Sequence, residues 1–269
     1  MVPQHSHADT LQLEALLVAR TYLYTLFHKA FGGEPTEELL AVLQDKTTSD
    51  VLDEYADSSE ALAALRSFLN GLRAQDQASL IDQTKDEYTR TFLGPNVLPA
   101  SPYESPYRTQ EATLFQENTI VVREAFRNEG FLPKAYQHVP DDHVSLICHF
   151  AAHRAAQALA AFRNGDAQKA ARLLRAQNIF AREHMANWFN DYAKGLRCSK
   201  TAVLYPQLVE GLAAFVDSDV MFADEAAYWL EGEEAVAGVS DEFAEANTAL
   251  EKLQAMRLPH LSENELARI

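Results

Sequence analysis

Residues 94 to 107, GPNVLPASPYESPY, hold four prolines and a glycine, and they break a chain that otherwise repeats its apolar residues at helical intervals. Proline fixes φ and lacks an amide donor, so neither a helix nor a central strand passes through such a segment. On either side the pattern is helical. Leu13, Leu16, Leu17, Leu23, Tyr24, Phe27 and Phe31 recur at threes, fours and sevens, and Gly32-Gly33 supplies a stop. Asp9 or Thr10 is the expected cap of that first helix. Ten Gly and ten Pro in 269 residues are few, and the helix formers Ala, Leu, Glu, Gln and Arg dominate. The expected class is all-α: a single globular bundle of about ten helices with one long Pro-rich loop.

Further helices are expected at about 36 to 45, 49 to 56, from Ser58 or Ser59 to Leu72, and from Asp76 to Phe92, closed by Gly94 and Pro95. The pattern resumes from Thr109 to Asn128. After a non-helical stretch to Pro140, Asp141 or Asp142 is the expected cap of a helix reaching Arg163. Two or three more helices extend to Leu230, with Trp188, Phe189, Tyr192, Leu208, Leu212, Phe215, Tyr228 and Trp229 as expected buried members. Residues 231 to 269 are acidic and less apolar. They read as an extension to a main domain of residues 1 to 230: one peripheral helix with a loose end.

Composition narrows the function. With 23 basic and 39 acidic residues the formal net charge is −16, which argues against nucleic acid and favours cationic partners. Cys148 and Cys198 are too few for a disulfide framework or a zinc knuckle, so free thiols in a reducing compartment are expected. The start, Met1 to Thr10, lacks the pattern of a secretory signal, and no apolar run approaches the about 18 residues of a membrane span. The expected location is the cytoplasm, without stable membrane insertion.

No Gly-rich phosphate loop, nucleophile elbow or His-Glu-x-x-His pair occurs. The enzymatic alternative is a metal-dependent helical hydrolase built on Asp141, Asp142, His143, His149 and His153, since His149 and His153 are four apart on one helix face. Helix-start Asp and His also serve as backbone caps, and Cys148 points to another face, so the expectation is no metal and no catalytic residue. The Pro-rich loop fits peptide binding better, because a pre-ordered backbone spares entropy and tyrosines offer broad apolar area with a polar tip. A packed connector between helices would have the same composition.

Three separated motifs, the first in two parts, carry a resemblance. Glu87-Tyr88-Thr89-Arg90-Thr91-Phe92-Leu93-Gly94-Pro95 is followed by Pro102-Tyr103-Glu104-Ser105-Pro106-Tyr107, then by LFQENTIVVR within Glu111 to Arg123, then by Pro140-Asp141-Asp142-His143. In this order they resemble the signature of the TorD/DmsD/NarJ family of redox-enzyme maturation chaperones, over roughly residues 15 to 220. The resemblance implies an all-helical fold without a cofactor. It also implies binding of the twin-arginine signal peptide and the apo catalytic subunit of a molybdopterin oxidoreductase, with Tat translocase components as further partners.

Carried over, the leader-binding positions are Tyr88, Thr91, Pro102, Tyr103, Pro140, Asp142 and His143, supported by Glu87, Arg90, Phe92, Gly94, Pro95, Leu98, Glu104, Ser105, Tyr107 and Asp141. Tyr88 and Tyr103 stand where the best-known members carry tryptophan. On physical grounds a twin-arginine leader needs carboxylates for its guanidinium groups and apolar area beside them. Asp141, Asp142, Glu87 and Glu104 are the expected acceptors; Tyr88, Tyr103, Tyr107 and Leu98 the expected surface. Arg90 is expected to make an internal ion pair that orders the loop, Phe92 to pack in the core, and the two motifs to converge on one site. A NarJ-like assembly factor for membrane-bound nitrate reductase is the alternative within the family, and both a monomer and a domain-swapped dimer are compatible with it.

Overall fold

A computed structural model describes residues 7–56, 59–94, 98–109, 117–135, 138–198, 203–232 and 241–269. Pro95 of the first motif and residues 111 to 116 of the second, Glu111 to Arg123, lie outside them. Among the described residues there are twelve α-helices and one two-stranded sheet, so the chain is all-α.

The centre is α1 (His7–Gly32), an apolar helix covered on several sides. It packs along α8 (Val144–Arg163), which in turn packs on α9 (Ala167–His184), while α11 (Tyr205–Glu231) closes against α9 and α10 (Phe189–Arg197). A second face is built from α2 (Glu37–Leu43), α3 (Lys46–Ala56), α4 (Glu60–Gly71) and α5 (Gln77–Tyr88). Thr36 caps α2 and Asp76 caps α5 through side-chain oxygens that accept third-residue amides. Where α4 crosses α11, a Cβ at Gly211 would lie 2.3 Å from Leu65 Cδ2, so any larger residue there would have to displace the Leu65 side chain.

One ion pair sits inside this packing. Arg20 Nε on α1 donates to Asp219 Oδ1 on α11 at 2.6 Å, and the Tyr24 hydroxyl donates to Asp219 Oδ2 at 2.6 Å. Both charged side chains are 1% exposed.

Several boundaries depart from the sequence expectation. Helix α1 already runs at His7, before Asp9 and Thr10. Residues Ser105–Thr109 form a short helix, α6, that begins inside the expected loop of residues 94 to 107; Pro106 is tolerated because the first helical amides have no intrahelical partner. α7 spans Glu117–Asn128. The cap of α8 is His143, whose Nδ1 accepts the Ser145 amide at 3.2 Å, not Asp141 or Asp142. Trp188, Phe189, Tyr192, Leu208, Leu212 and Phe215 are buried as expected, but Tyr228 is 78% exposed and Trp229 only half-buried.

The tail also differs from a loose end. α12 (Ala244–Ala255) packs on α1 and α3, and Leu258, Leu261 and Leu266 join the main core. The Lys29 ammonium donates to the carbonyls of Gln254 and Met256, and Leu266–Arg268 (β2) pairs antiparallel with Phe131–Pro133 (β1). Buried leucines and satisfied backbone groups hold this segment down, which its acidic composition conceals.

Candidate functional site

The motif residues are assembled by two chain crossings. At the first, α5 ends in a wide five-residue turn, Thr89–Leu93, and Gly94 follows at φ 72°, a conformation other residues adopt at a cost. This turn places Tyr88 and Phe92 in one aromatic layer. Tyr88 lies 5.1 Å from Phe92 and 5.9 Å from Tyr205, and Phe92 meets the Tyr205 ring edge-on at 5.0 Å. Tyr88 is 1% and Thr91 4% exposed. Glu87, also buried, accepts the backbone amides of Val203 at 2.8 Å, Leu204 at 2.7 Å and Tyr205 at 3.3 Å. A carboxylate thus sits on the positive end of α11. Burial raises the Glu87 pKa, and those three amides oppose the rise.

At the second crossing the Pro-rich loop runs antiparallel to the segment before α8. Val144 N donates to Pro102 O at 2.8 Å and Glu104 N donates to Asp142 O at 3.1 Å, around a bridge between Tyr103 and His143. Their rings meet edge to face at 5.1 Å. Asp142 Oδ2 accepts the Ser105 amide at 2.8 Å and hydroxyl at 2.5 Å, and Oδ1 accepts Thr119 at 3.2 Å. The motifs around residues 88, 103, 119 and 142 therefore meet in space.

The expected carboxylate clamp is not available at this point. Glu87, Glu104, Asp141 and Asp142 are each 3% exposed or less. Asp141 is bound by Arg123 through Nε and Nη2, Glu104 by His184 Nδ1 at 3.1 Å, and the other two by the donors already given. Buried carboxylates need such partners, and their burial withholds them from a peptide guanidinium even where an oxygen, Asp141 Oδ1, has no hydrogen-bond partner. Arg90 is also placed differently from expectation: it pairs with Asp86 on its own helix, not with the loop.

Pro102 and Pro140 are buried, and the His143 amide donates to the Pro140 carbonyl at 3.3 Å. The Tyr107 hydroxyl donates to Ser101 O at 2.9 Å while its ring stacks on Trp188 at 5.3 Å, which pins the loop to α10. Phe92, Leu98 and Tyr103 remain partly accessible, Leu93 is 48% exposed, and Pro99 is exposed. The accessible members of the constellation are thus apolar and aromatic, on a hydrogen-bonded frame. Burial pushes the Tyr103 hydroxyl up to about 12 and the His143 imidazole down to about 3, so both are neutral at pH 7.

The residues of the metal alternative are separately engaged. His149 stacks on His28 with ring centres 4.1 Å apart and accepts the Leu266 amide at 3.0 Å, while His153 Nε2 bonds to Gln157. No group of three ligand-type side chains is close enough to hold a metal among the described residues. None of the described helices is long and apolar enough to cross a membrane.

The model of the nitrate reductase delta subunit family matches residues 52–194, more than half of the chain. The chain belongs to that family. Every motif residue of the site falls inside the matched region, and the tail after α11 falls outside it. Proteins of Salmonella typhi and Salmonella typhimurium named Tat proofreading chaperone DmsD are 27% identical over 143 residues, which is 53% of this chain and 65% of theirs. A probable Tat proofreading chaperone DmsD of Haemophilus influenzae is 30% identical over 70 residues, 26% of this chain and 34% of its own. The chain thus covers less than two thirds of the length of these relatives.

His184 and Tyr205 carry no signal in the sequence, and Thr119, Arg123 and Trp188 stand in its motifs or expected core without any sign of the residues they hold. Their distances along the chain from the residues they hold, 116 to 118 residues for the Glu87 contacts, leave no local signal.

Proposed function

We propose that this chain is a chaperone that binds the twin-arginine leader of a molybdopterin oxidoreductase subunit, together with the apo form of that subunit, and acts by binding, not turnover. The observation that carries the reading is the coincidence of the family match with the joined motifs, in a chain whose relatives are named Tat proofreading chaperones. In this reading the apolar stretch of the leader lies on Phe92, Leu93, Leu98 and Tyr103. Tyr88, Thr91, Pro102, Pro140, Asp142 and His143 hold that surface in shape from beneath. Covering an apolar leader disfavours premature targeting in proportion to the free chaperone concentration over Kd. In the same reading residues 1 to 230 are the chaperone domain and residues 231 to 269 its extension, acting in the cytoplasm with no cofactor of its own.

A second reading, assembly of a membrane-bound nitrate reductase, is favoured by the description of the matched family. Fluorescence anisotropy with labelled leader peptides separates the two. Saturable binding of a twin-arginine leader, weakened about tenfold or more by Tyr103→Ala with unchanged melting temperature, supports the first reading. Binding confined to the N-terminal segment of a nitrate reductase catalytic subunit transfers the assignment to the second, and binding to neither peptide overturns the leader site.

A further inference from the structure

A groove of about 740 Å³ lies away from the joined motifs, between α3, the start of α4, α10 and the outer face of α11. Its apolar lining includes Leu16, Tyr55, Ala214, Met221 and Phe222. An adjoining hollow of about 400 Å³ shares Leu16, Phe222 and Glu225 with it and continues to Trp229. Met221 is 66% exposed and Tyr228 78% exposed, and Trp229 is only half-buried, so large apolar side chains are concentrated here in contact with water. Tyr228 was an expected core residue, and its position on the outer face makes the patch larger than the sequence suggests.

Acid exceeds base around this patch, with Glu54, Glu210, Asp217 and Glu225 against Lys194 and Arg197 in the lining. Arg197 is paired with Glu210 and Lys194 with Asp191. Glu54, Asp217 and Glu225 face the groove and have no cationic partner among the described residues. Asp217, Met221, Glu225 and Tyr228, all exposed, lie on one stripe of α11 and follow at intervals of four, four and three. Acid and apolar side chains thus alternate along one helix face, at the spacing a second helix presents.

We infer that this groove is a docking surface for a basic amphipathic helix, with arginine or lysine against Glu54, Asp217 and Glu225 and apolar residues against Met221, Phe222 and Tyr228. The pairing follows from charge complementarity. Three uncompensated carboxylates in a chain of net charge −16 repel an acidic or neutral partner's carboxylates and attract cations, while the lining between them gains only from apolar contact. The surface is independent of the leader reading, because none of its residues belongs to the joined motifs.

The test uses the full chain and a labelled synthetic amphipathic helix bearing arginines beside leucines on one face, with a counterpart in which glutamine replaces every arginine. Saturable binding that weakens as salt rises is expected for the first peptide, with an affinity about tenfold or more lower for the second. The combined variant Glu54→Gln, Asp217→Asn, Glu225→Gln is expected to lower affinity by a similar factor, whereas Tyr103→Ala leaves it unchanged. A benzophenone on the apolar face of the peptide is expected to crosslink to Met221 or Phe222. Met221→Glu, an exposed change that leaves the fold intact, is expected to abolish the crosslink. Absence of saturable binding, equal binding by the charge-neutralised chain, or crosslinks confined to the Tyr103 region would each overturn the proposal.

Discussion

Asp142 accepts both the amide and the hydroxyl hydrogen of Ser105, at 2.8 and 2.5 Å, across 37 residues of chain. One carboxylate therefore caps α6 and staples the Pro-rich loop to the start of α8, with Thr119 of α7 on its other oxygen. Asp142→Ala leaves three donors without an acceptor and is expected to cost about 2 to 4 kcal/mol, while Asp142→Asn keeps one acceptor oxygen and costs about 1 to 2 kcal/mol. Urea denaturation of the two variants checks the order; equal stability of Ala and wild type would remove the staple from the account.

Glu87 does for α11 what Asp142 does for α6. Glu87→Gln replaces one acceptor oxygen by an amide donor facing the Val203, Leu204 and Tyr205 amides, and removes a negative charge from a helix N-terminus. A loss of about 1 to 3 kcal/mol is expected. Hydrogen exchange reads it directly: the Leu204 and Tyr205 amides should lose protection before amides in the middle of α11.

The Arg20–Asp219 pair behaves as a unit. Asp219→Ala leaves a guanidinium buried without its counter-charge and is expected to destabilise by about 3 to 5 kcal/mol. Replacing both, as Arg20→Met with Asp219→Leu, should recover much of that loss, because the desolvation cost of both charges disappears. A double-mutant cycle with additive losses would show that the two residues act separately.

Stability should fall as the medium is acidified from neutrality. Burial holds His143 at about 3 and His149 at about 4, and it drives His28 well below its usual value, helped by the neighbouring His149. These rings stay neutral in the folded chain, whereas the unfolded chain takes up protons below its own value near 6.5. The stability they confer is complete above that value and lost as pH falls toward their folded values, by up to about 1.4 kcal/mol per pH unit for each ring. Asp142 and Glu87, raised by burial, act in the opposite sense only near the ordinary carboxylate range. Denaturation midpoints between about pH 7.5 and 5 should decline steadily; a flat profile would mean that these histidines are not buried neutral.

Helical periodicity and the scarcity of Gly and Pro determined the class of this protein, because a 3.6-residue apolar repeat buries one face only when the backbone is helical. The order of three motifs determined the family. Capping chemistry was legible at Asp76, where donor and acceptor lie three residues apart, and misread at Asp142, whose oxygens are taken by Ser105 and Thr119 rather than by its own helix.

The tertiary structure alone decided what the motif carboxylates do. Glu87, Glu104, Asp141 and Asp142 look like ligands for a cationic peptide in sequence, and folding consumes them on amides, a histidine and an arginine that are distant along the chain. It likewise turned Tyr228 outward, closed the acidic tail onto α1 through Lys29 and onto α8 through the Leu266 amide and His149, and gathered Glu54, Asp217 and Glu225 around one groove. The physical reason is common to all three. Periodicity encodes which face of a helix is apolar, but which polar groups remain free for a partner depends on contacts between elements that local sequence does not specify.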